Sequence, residues 1–236
     1  MKEYTEDSIW AKDVRIIQPK NGYRFAIDAV LLTHFLKTSR KDEVLEIGTG
    51  AAVIPVLLSR LKKFKRLLAV EIQKELADIA KKNIEINGIQ NVDILHADIR
   101  DLQNLSFDLI FSNPPYRKAG SGKLNPNPQK AVARHELKLR LDDIFECAMK
   151  FLKPEGRLSV ILPTFREANF VQLADRYSLH QAESQYVHSF AHDPPVFFLA
   201  TITPRKTKRV QRPRLVIYDA PGVYSTEMQN LLKTKR

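Results

Sequence analysis

EVLEIGTGAAVIPVLLSRL, residues 43–61, decides the architecture. Val44, Leu45 and Ile47 make an apolar run of strand length that stops at a turn carrying Gly48 and Gly50. The apolar residues after the turn continue at helix length, so strand, tight turn and helix follow one another. Pro55 falls in the first turn or so of that helix, where a missing N–H is tolerated. Outward from this unit the alternation repeats. LLAVEI (67–72) reads as a second buried strand, and Leu76, Ile79, Ala80 and Ile84 fall at helical spacing before Asn87-Gly88 ends the helix. VDILHAD (92–98), FDLIFSN (107–113) and GRLSVILP (156–163) are three further strands, with LDDIFECAMKFLK (141–153) as a helix between the last two.

Alternating strands and helices specify a mostly parallel sheet with helices on both faces. The end of the chain differs, because SQYVHSFA (184–191) and VFFLATIT (196–203) are separated only by HDPP, too short for a crossover helix. The expected fold is therefore α/β, a Rossmann-like seven-stranded sheet with a C-terminal antiparallel hairpin. The whole chain, 1–236, is expected to be one domain, with 1–43 an N-terminal segment packing on the ligand side and 205–236 a basic C-terminal segment.

The chain has 38 Lys+Arg against 27 Asp+Glu, a net charge of +11. Such a balance suits a polyanionic partner, since neutralised phosphates release counterions, and it equally describes a solvated basic surface. The single cysteine, Cys147, allows no internal disulfide and reads as a small buried residue on a helix. No apolar stretch approaches the length of a membrane span, and the polar, acidic N-terminus is unlike a secretory signal. A soluble, cytoplasmic protein, monomeric and without a metal, is expected. The six histidines are scattered, with no metal-ligand spacing.

Gly48 and Gly50 remove side chains that would block a ligand lying against the backbone. Ala52 stands where a third glycine often appears, so the dinucleotide fingerprint is absent. Glu71 ends the second strand, where a carboxylate can accept hydrogen bonds from ribose hydroxyls, and Asp98 ends the third, within reach of an adenine amino group. An ordinary tight turn followed by surface acids would leave the same trace.

With VLEIGTG, AVEI and HADI, the sequence resembles the class I S-adenosylmethionine-dependent methyltransferases. The resemblance implies that Glu46 and the Gly48–Gly50 turn hold the methionine portion of the cofactor, Glu71 its ribose and Asp98 its adenine. Ile72, Ile99 and Asn113 line the same site. In this family NPPY, here Asn113, Pro114, Pro115 and Tyr116, follows the fourth strand beside the cofactor. Its chemistry follows from the residue types. An amine conjugated to an aromatic ring is a poor nucleophile because its lone pair is delocalised. The Asn113 side-chain oxygen and the Pro114 carbonyl can take its two N–H groups and free that lone pair, while the prolines fix φ and hold both acceptors in place. Tyr116 offers a face on which a planar base can stack.

NGYRFAIDAVLLTHFL (21–36), NPPY and KAVARHE (130–136) together resemble the bacterial tRNA adenine-N6 methyltransferases that act on valine tRNA next to the anticodon. That resemblance implies methyl transfer from S-adenosylmethionine to an adenine N6 of tRNA, at position 37, with S-adenosylhomocysteine as product. Tyr23, Arg24, Phe25 and Asp28 would close over the cofactor, or Phe25 and Leu31 are simply the packed face of a helix. Arg134, His135 and Glu136 organise the loop near the base or form a helix-start cluster. Expected contacts to tRNA phosphates are Arg117, Lys118 and Lys123 after the motif, and Arg205, Lys206, Lys208, Arg209, Arg212 and Arg214 in the basic segment. Two other readings stand: methylation of another RNA amine, such as guanine N2 of ribosomal RNA, and a basic RNA-binding module with a vestigial cofactor pocket.

Overall fold

A computed structural model describes residues 4–9, 14–19, 27–115 and 139–233. The chain opens with an antiparallel hairpin, β1 (Tyr4–Ile9) and β2 (Val14–Pro19), followed by helix α1 (Ile27–Phe35). The alternation anticipated from the sequence then appears as β3 (Glu43–Ile47), α2 (Val53–Leu61), β4 (Arg66–Glu71), α3 (Lys74–Ile86), β5 (Val92–His96) and β6 (Phe107–Ser112). After it come α4 (Leu141–Phe151), β7 (Leu152–Pro163), α5 (Glu167–Arg176), β8 (His180–His188) and β9 (Pro195–Thr203).

The long strands lie in the order β8-β9-β7-β6-β3-β4-β5, and β9 alone runs against its neighbours. The Rossmann-like α/β sheet with its antiparallel end is thus as the sequence indicated. Two short additions were not anticipated: β10 (Val210–Gln211) and β11 (Leu215–Val216) pair in parallel with the outer edge of β8. A small hairpin of β12 (Tyr218–Ala220) and β13 (Val223–Tyr224) and helix α6 (Thr226–Leu232) complete the described chain.

Each central strand is buried on both faces, so its residues divide by parity between two cores. Val44, Leu67, Ala69, Leu109 and Phe111 join α1, α2 and α3 on one side. Leu45, Ile47, Val70, Ile110, Leu158 and Val160 join α4 and α5 on the other. Cys147 is buried in that second core on α4, and burial pushes its thiol up to about 11, consistent with a packing residue.

The N-terminal hairpin is fastened to the domain by two asparagines four residues apart, Asn83 on α3 and Asn87 at its C-cap. Asn83, fully buried, accepts from the Ile17 N–H at 2.7 Å and donates to the Ile17 and Ala51 carbonyls at 2.9 and 2.8 Å. Asn87 makes the same paired contact with the Arg15 backbone. The two amides act as a strand edge for β2 and tie it to Ala51, beside the glycine turn. Replacing Asn83 by Ala leaves buried backbone groups unpaired, at about 2–3 kcal/mol. We expect the melting temperature to fall by about 4–12 °C in a chain of this size. A calorimetric melt identical to the parent's would refute that anchoring role.

Candidate active site

In an open α/β sheet, ligands bind outside the carboxyl ends of the strands where the order reverses. That point lies between β3, whose successors β4 and β5 build one half, and β6, which begins the other. The glycine turn leaves β3 here and the Asn113-Pro114-Pro115 corner leaves β6 here. Glu46 pairs with Phe111 across these strands, so the glycine turn and the Asn113 corner leave adjacent parallel strands about 4.8 Å apart. Ser112 locks the two exits together: its buried hydroxyl donates to the Ile47 carbonyl at 2.8 Å.

Gly48 and Gly50 both have positive φ, 75° and 59°. The Gly48 and Thr49 N–H groups donate to the Val70 carbonyl, at 2.9 and 3.1 Å. A Cβ on Gly48 would stand 3.2 Å from Leu139 Cδ2, so the glycine also lets the returning chain pass close overhead. Ala52, in place of a third glycine, is itself left-handed with φ 57°, a conformation that costs a non-glycine residue about 1–2 kcal/mol. The turn therefore keeps a glycine-like path without the glycine, and the fully buried Ala52 methyl packs in the core.

Glu71 is buried at the end of β4. Its Oε2 accepts from the Gly50 N–H at 2.8 Å and its Oε1 from the Gln73 N–H at 2.9 Å. The carboxylate thus braces the glycine turn. Ile72 beside it is half-buried, and its carbonyl meets a His96 ring nitrogen at 3.2 Å.

Glu46 points from β3 into the same region, 2% exposed. Burial pushes its carboxyl up to about 8, with the Glu71 charge adding in the same direction; the nearby Thr49 hydroxyl counters them only in part. No hydrogen bond of good geometry joins the two: Glu46 Oε2 and Thr49 Oγ1 are both buried without a partner among the described residues. Two unpaired polar atoms beside a glycine turn are costly in a bare protein, and they suit a ligand bringing both a donor and an acceptor.

Asp98 is half-buried after β5 and caps a short turn that buries Ile99. Arg100 grips both its oxygens, with Nε donating to Oδ1 at 2.9 Å and Nη2 to Oδ2. Those hydrogen bonds hold the Asp98 carboxyl below its ordinary range. A carboxylate has about four lone-pair sites, so Asp98 retains acceptor capacity. At the corner itself, Asn113 and Pro115 are half-buried and Pro114 is buried.

Glu46, Gly48, Gly50, Glu71, Ile72, Asp98, Ile99, Asn113, Pro114 and Pro115 are therefore gathered at one edge of the sheet. Tyr23, Arg24, Phe25, Tyr116, Arg117, Lys118, Lys123 and the Arg134–Glu136 group lie outside the described residues. Asp28 is buried in the first turn of α1, accepting from the Ala29 N–H.

The basic segment is not one patch at this edge. Because β9 runs backwards, Thr203 pairs with His180 at the start of β8, and Arg205 bonds Glu155 near the start of β7. Arg205, Lys206, Lys208 and Arg209 are thus exposed at the opposite end of the sheet. The chain then climbs the edge of β8, and Arg214 reaches the Ala191 carbonyl at the near end. Arg212, expected with the phosphate contacts, is turned inward: it grips Glu183 through Nε and Nη2 at 2.8 and 3.0 Å, donates to the Phe35 carbonyl and lies over the Phe35 ring. It is a structural residue, because β10 and β11 draw this stretch onto the sheet.

Ser112, Thr49 and Leu139 were not singled out from the sequence. Ser112 had a legible signal, a polar residue at the end of an otherwise apolar strand.

Comparison with known proteins agrees with this arrangement. The profile of the family described as methyltransferase small domain matches residues 26–186. A tRNA1(Val) (adenine(37)-N6)-methyltransferase of Porphyromonas gingivalis is 32% identical over 234 residues, covering 93% of this chain and 91% of that protein. One from Pedobacter heparinus is 30% identical over 224 residues, covering 94% of each. The crystal structure of a predicted O-methyltransferase from Agrobacterium tumefaciens shares the fold, with a TM-score of 0.66, 19% identity, and coverage of 86% of this chain and 94% of that one. A sheet whose glycine turn and Asn-Pro-Pro corner meet at its switch point, in a chain so similar to these proteins over nearly its full length, places it plainly: the chain belongs to the methyltransferase small domain family, and within it to the family of the tRNA1(Val) (adenine(37)-N6)-methyltransferases.

Proposed function

We propose that the protein transfers a methyl group from S-adenosylmethionine to the N6 of an adenine in tRNA, at position 37 beside the anticodon. The observation that carries this reading is the locked juxtaposition of the glycine turn and the Asn113 corner through the Ser112–Ile47 hydrogen bond. The names of the relatives select adenine N6 over guanine N2.

The residues present fit the cofactor. Glu46 Oε2 and Thr49 Oγ1, buried and unpartnered, would pair with the ammonium and carboxylate of its methionine end. Glu71 would accept from the ribose hydroxyls, and Asp98 from the adenine amino group. When bound, S-adenosylmethionine supplies an electrophilic methyl group on a sulfonium. Asn113 Oδ1 and the Pro114 carbonyl accept the two N–H groups of the target amine, so its lone pair aims at that methyl. As the nitrogen gained positive charge these two acceptors would stabilise it, and the methylated amine, now acidic, would lose one of its two protons to solvent, so no strong base is needed. Tyr116 stacks on the base, and the chain's rigid corner supplies orientation, which is worth about 7–11 kcal/mol of a barrier in well-aligned reactions.

The test is direct. Incubation with unmodified tRNA and labelled S-adenosylmethionine should yield N6-methyladenosine as the labelled nucleoside by mass spectrometry. Label in N2-methylguanosine instead, or none in RNA, would overturn the reading. S-adenosylhomocysteine should raise the melting temperature, as any ligand of the native state does.

The protein acts in the cytoplasm, as a monomer, with tRNA as its partner. Among the described residues no helix is long and apolar enough to cross a membrane and no acid, histidine and cysteine group is placed to hold a metal. Phosphate contacts are made by Arg205, Lys206, Lys208, Arg209 and Arg214 along the β8 edge, without Arg212. Replacing Lys206, Lys208 and Arg209 by Ala should lower the salt slope of tRNA binding by about 0.7–0.9 for each phosphate no longer neutralised. A filter-binding series with the parent's slope would remove this segment from the interface.

A further inference from the structure

Next to the Asn113 corner lies a cleft of about 220 Å³. Pro114, Pro115 and Leu162 line it together with Arg140, Arg166, Asn169 and one carboxylate, Asp142. It is smaller than the roughly 300–1,000 Å³ typical of whole small-molecule sites, so it suits a fragment of a larger ligand. The turn after β7 borders it, and at the tip of that turn Phe165 is 63% exposed, more than any other large hydrophobic residue among those described. The Arg166 guanidinium lies over the Phe165 ring, 6.0 Å from its centroid.

An exposed phenylalanine on a surface is unexceptional when it is mobile and isolated. This one is held. Thr164 Oγ1 donates to the Pro195 carbonyl at 2.7 Å on one side of it, and the Tyr186 hydroxyl donates to Glu167 at 2.5 Å on the other. A fixed aromatic face with a guanidinium beside it is the composition of a platform for unpaired bases, the ring stacking on the base and the cation answering the phosphate. Asn169, half-buried in the cleft wall, adds an amide able to donate and accept.

We propose that Phe165, Arg166 and Asn169 form a subsite for the nucleotide adjoining the target adenine, with its base stacked on Phe165. The inference rests on the reading of the protein as a tRNA methyltransferase and adds the element that holds the RNA loop open beside the corner. The +11 net charge and the continuity of the cleft with Pro114–Pro115 favour RNA as occupant over an apolar protein segment.

The experiment measures binding of a fluorescent anticodon stem-loop RNA by anisotropy, and its methylation, with the full chain and with Phe165→Ala, Phe165→Leu and Phe165→Trp. A second RNA carries an abasic residue next to the target adenine. Loss of one base–aromatic stack should raise Kd about 5- to 150-fold for Phe165→Ala. Phe165→Trp should bind like the parent, and Phe165→Leu should not recover the loss. The abasic RNA should weaken the parent by a similar factor and Phe165→Ala by little more, because both changes remove the same stack. The S-adenosylhomocysteine thermal shift, retained in all variants, reports that each is folded. Parent-like affinity in Phe165→Ala, full recovery in Phe165→Leu, or additive losses with the abasic RNA would each overturn the subsite. Recovery by leucine would point to an apolar protein contact instead. A parent protein that binds the stem-loop through Phe165 yet methylates no adenine would overturn the methyl-transfer reading and leave the subsite standing. One that methylates adenine with Phe165 indifferent would do the reverse.

Discussion

Asn113→Ala is expected to lower kcat for tRNA methylation by about 10²–10³-fold, the loss that follows removal of one preorganised hydrogen-bonding group from charge developing in a transition state. The reason is local. The target amine is deactivated by conjugation, and the Asn113 side-chain oxygen is one of only two acceptors proposed to reverse that. Cofactor affinity should change little, because the brace at the glycine turn is made by Glu71 and the Gly50 N–H, not by Asn113. Single-turnover methylation together with calorimetric titration of S-adenosylhomocysteine separates the two effects. Turnover within tenfold of the parent, or an equally large loss of S-adenosylhomocysteine binding, would defeat the assigned role. Asn113→Asp is the informative companion, since it retains an acceptor and introduces a charge.

The second large effect is a pH dependence of cofactor binding set by Glu46. Burial raises this carboxyl to about 8, against about 4.3 in an unfolded chain. The sign follows from proton counting. Between those two values the folded, ligand-free protein holds a proton that the unfolded chain has released, so its own stability falls as pH rises through the window. Binding runs the other way. An ammonium group placed against Glu46 favours the ionised form, so below pH 8 the ligand must displace a proton. Affinity for S-adenosylhomocysteine should therefore rise by up to about tenfold per pH unit, roughly 50-fold from about pH 6 to pH 8, and level above that. Titration in buffers of different ionisation enthalpy should register close to one proton released at neutral pH. Glu46→Gln should bind more weakly at pH 8 and lose the slope. A flat profile in the parent protein would show that Glu46 does not face the ligand's ammonium.

Much of the architecture was legible because burial on both faces leaves a strong mark. EVLEI, LLAVEI and FDLIFSN carry apolar residues on both faces since each strand serves two cores, and the intervening segments repeat at helical spacing. The short HDPP connection forced the antiparallel end. Helix α5 was harder to see because it buries only Phe170, Leu173 and Ala174. The hairpin of β1 and β2 was missed for a different reason: its partner is not another sheet but a pair of side-chain amides on α3 and its C-cap, more than sixty residues away in sequence.

The chain's local composition by itself determined which residues stand at the carboxyl ends of the strands, because a glycine turn, a terminal acid and a proline pair are all local devices that act on the backbone around them. Tertiary structure alone decided three things. It set the glycine turn beside the Asn113 corner, through strand register and the Ser112–Ile47 hydrogen bond. It raised the Glu46 carboxyl, since desolvation depends on everything packed around a group and not on its neighbours in sequence. It also divided the basic segment, sending Arg205 to the far end of the sheet and Arg212 onto Glu183. The physical reason is common to all three: pairing, dielectric and direction are properties of what surrounds a residue in space, and a linear pattern of charges carries none of them.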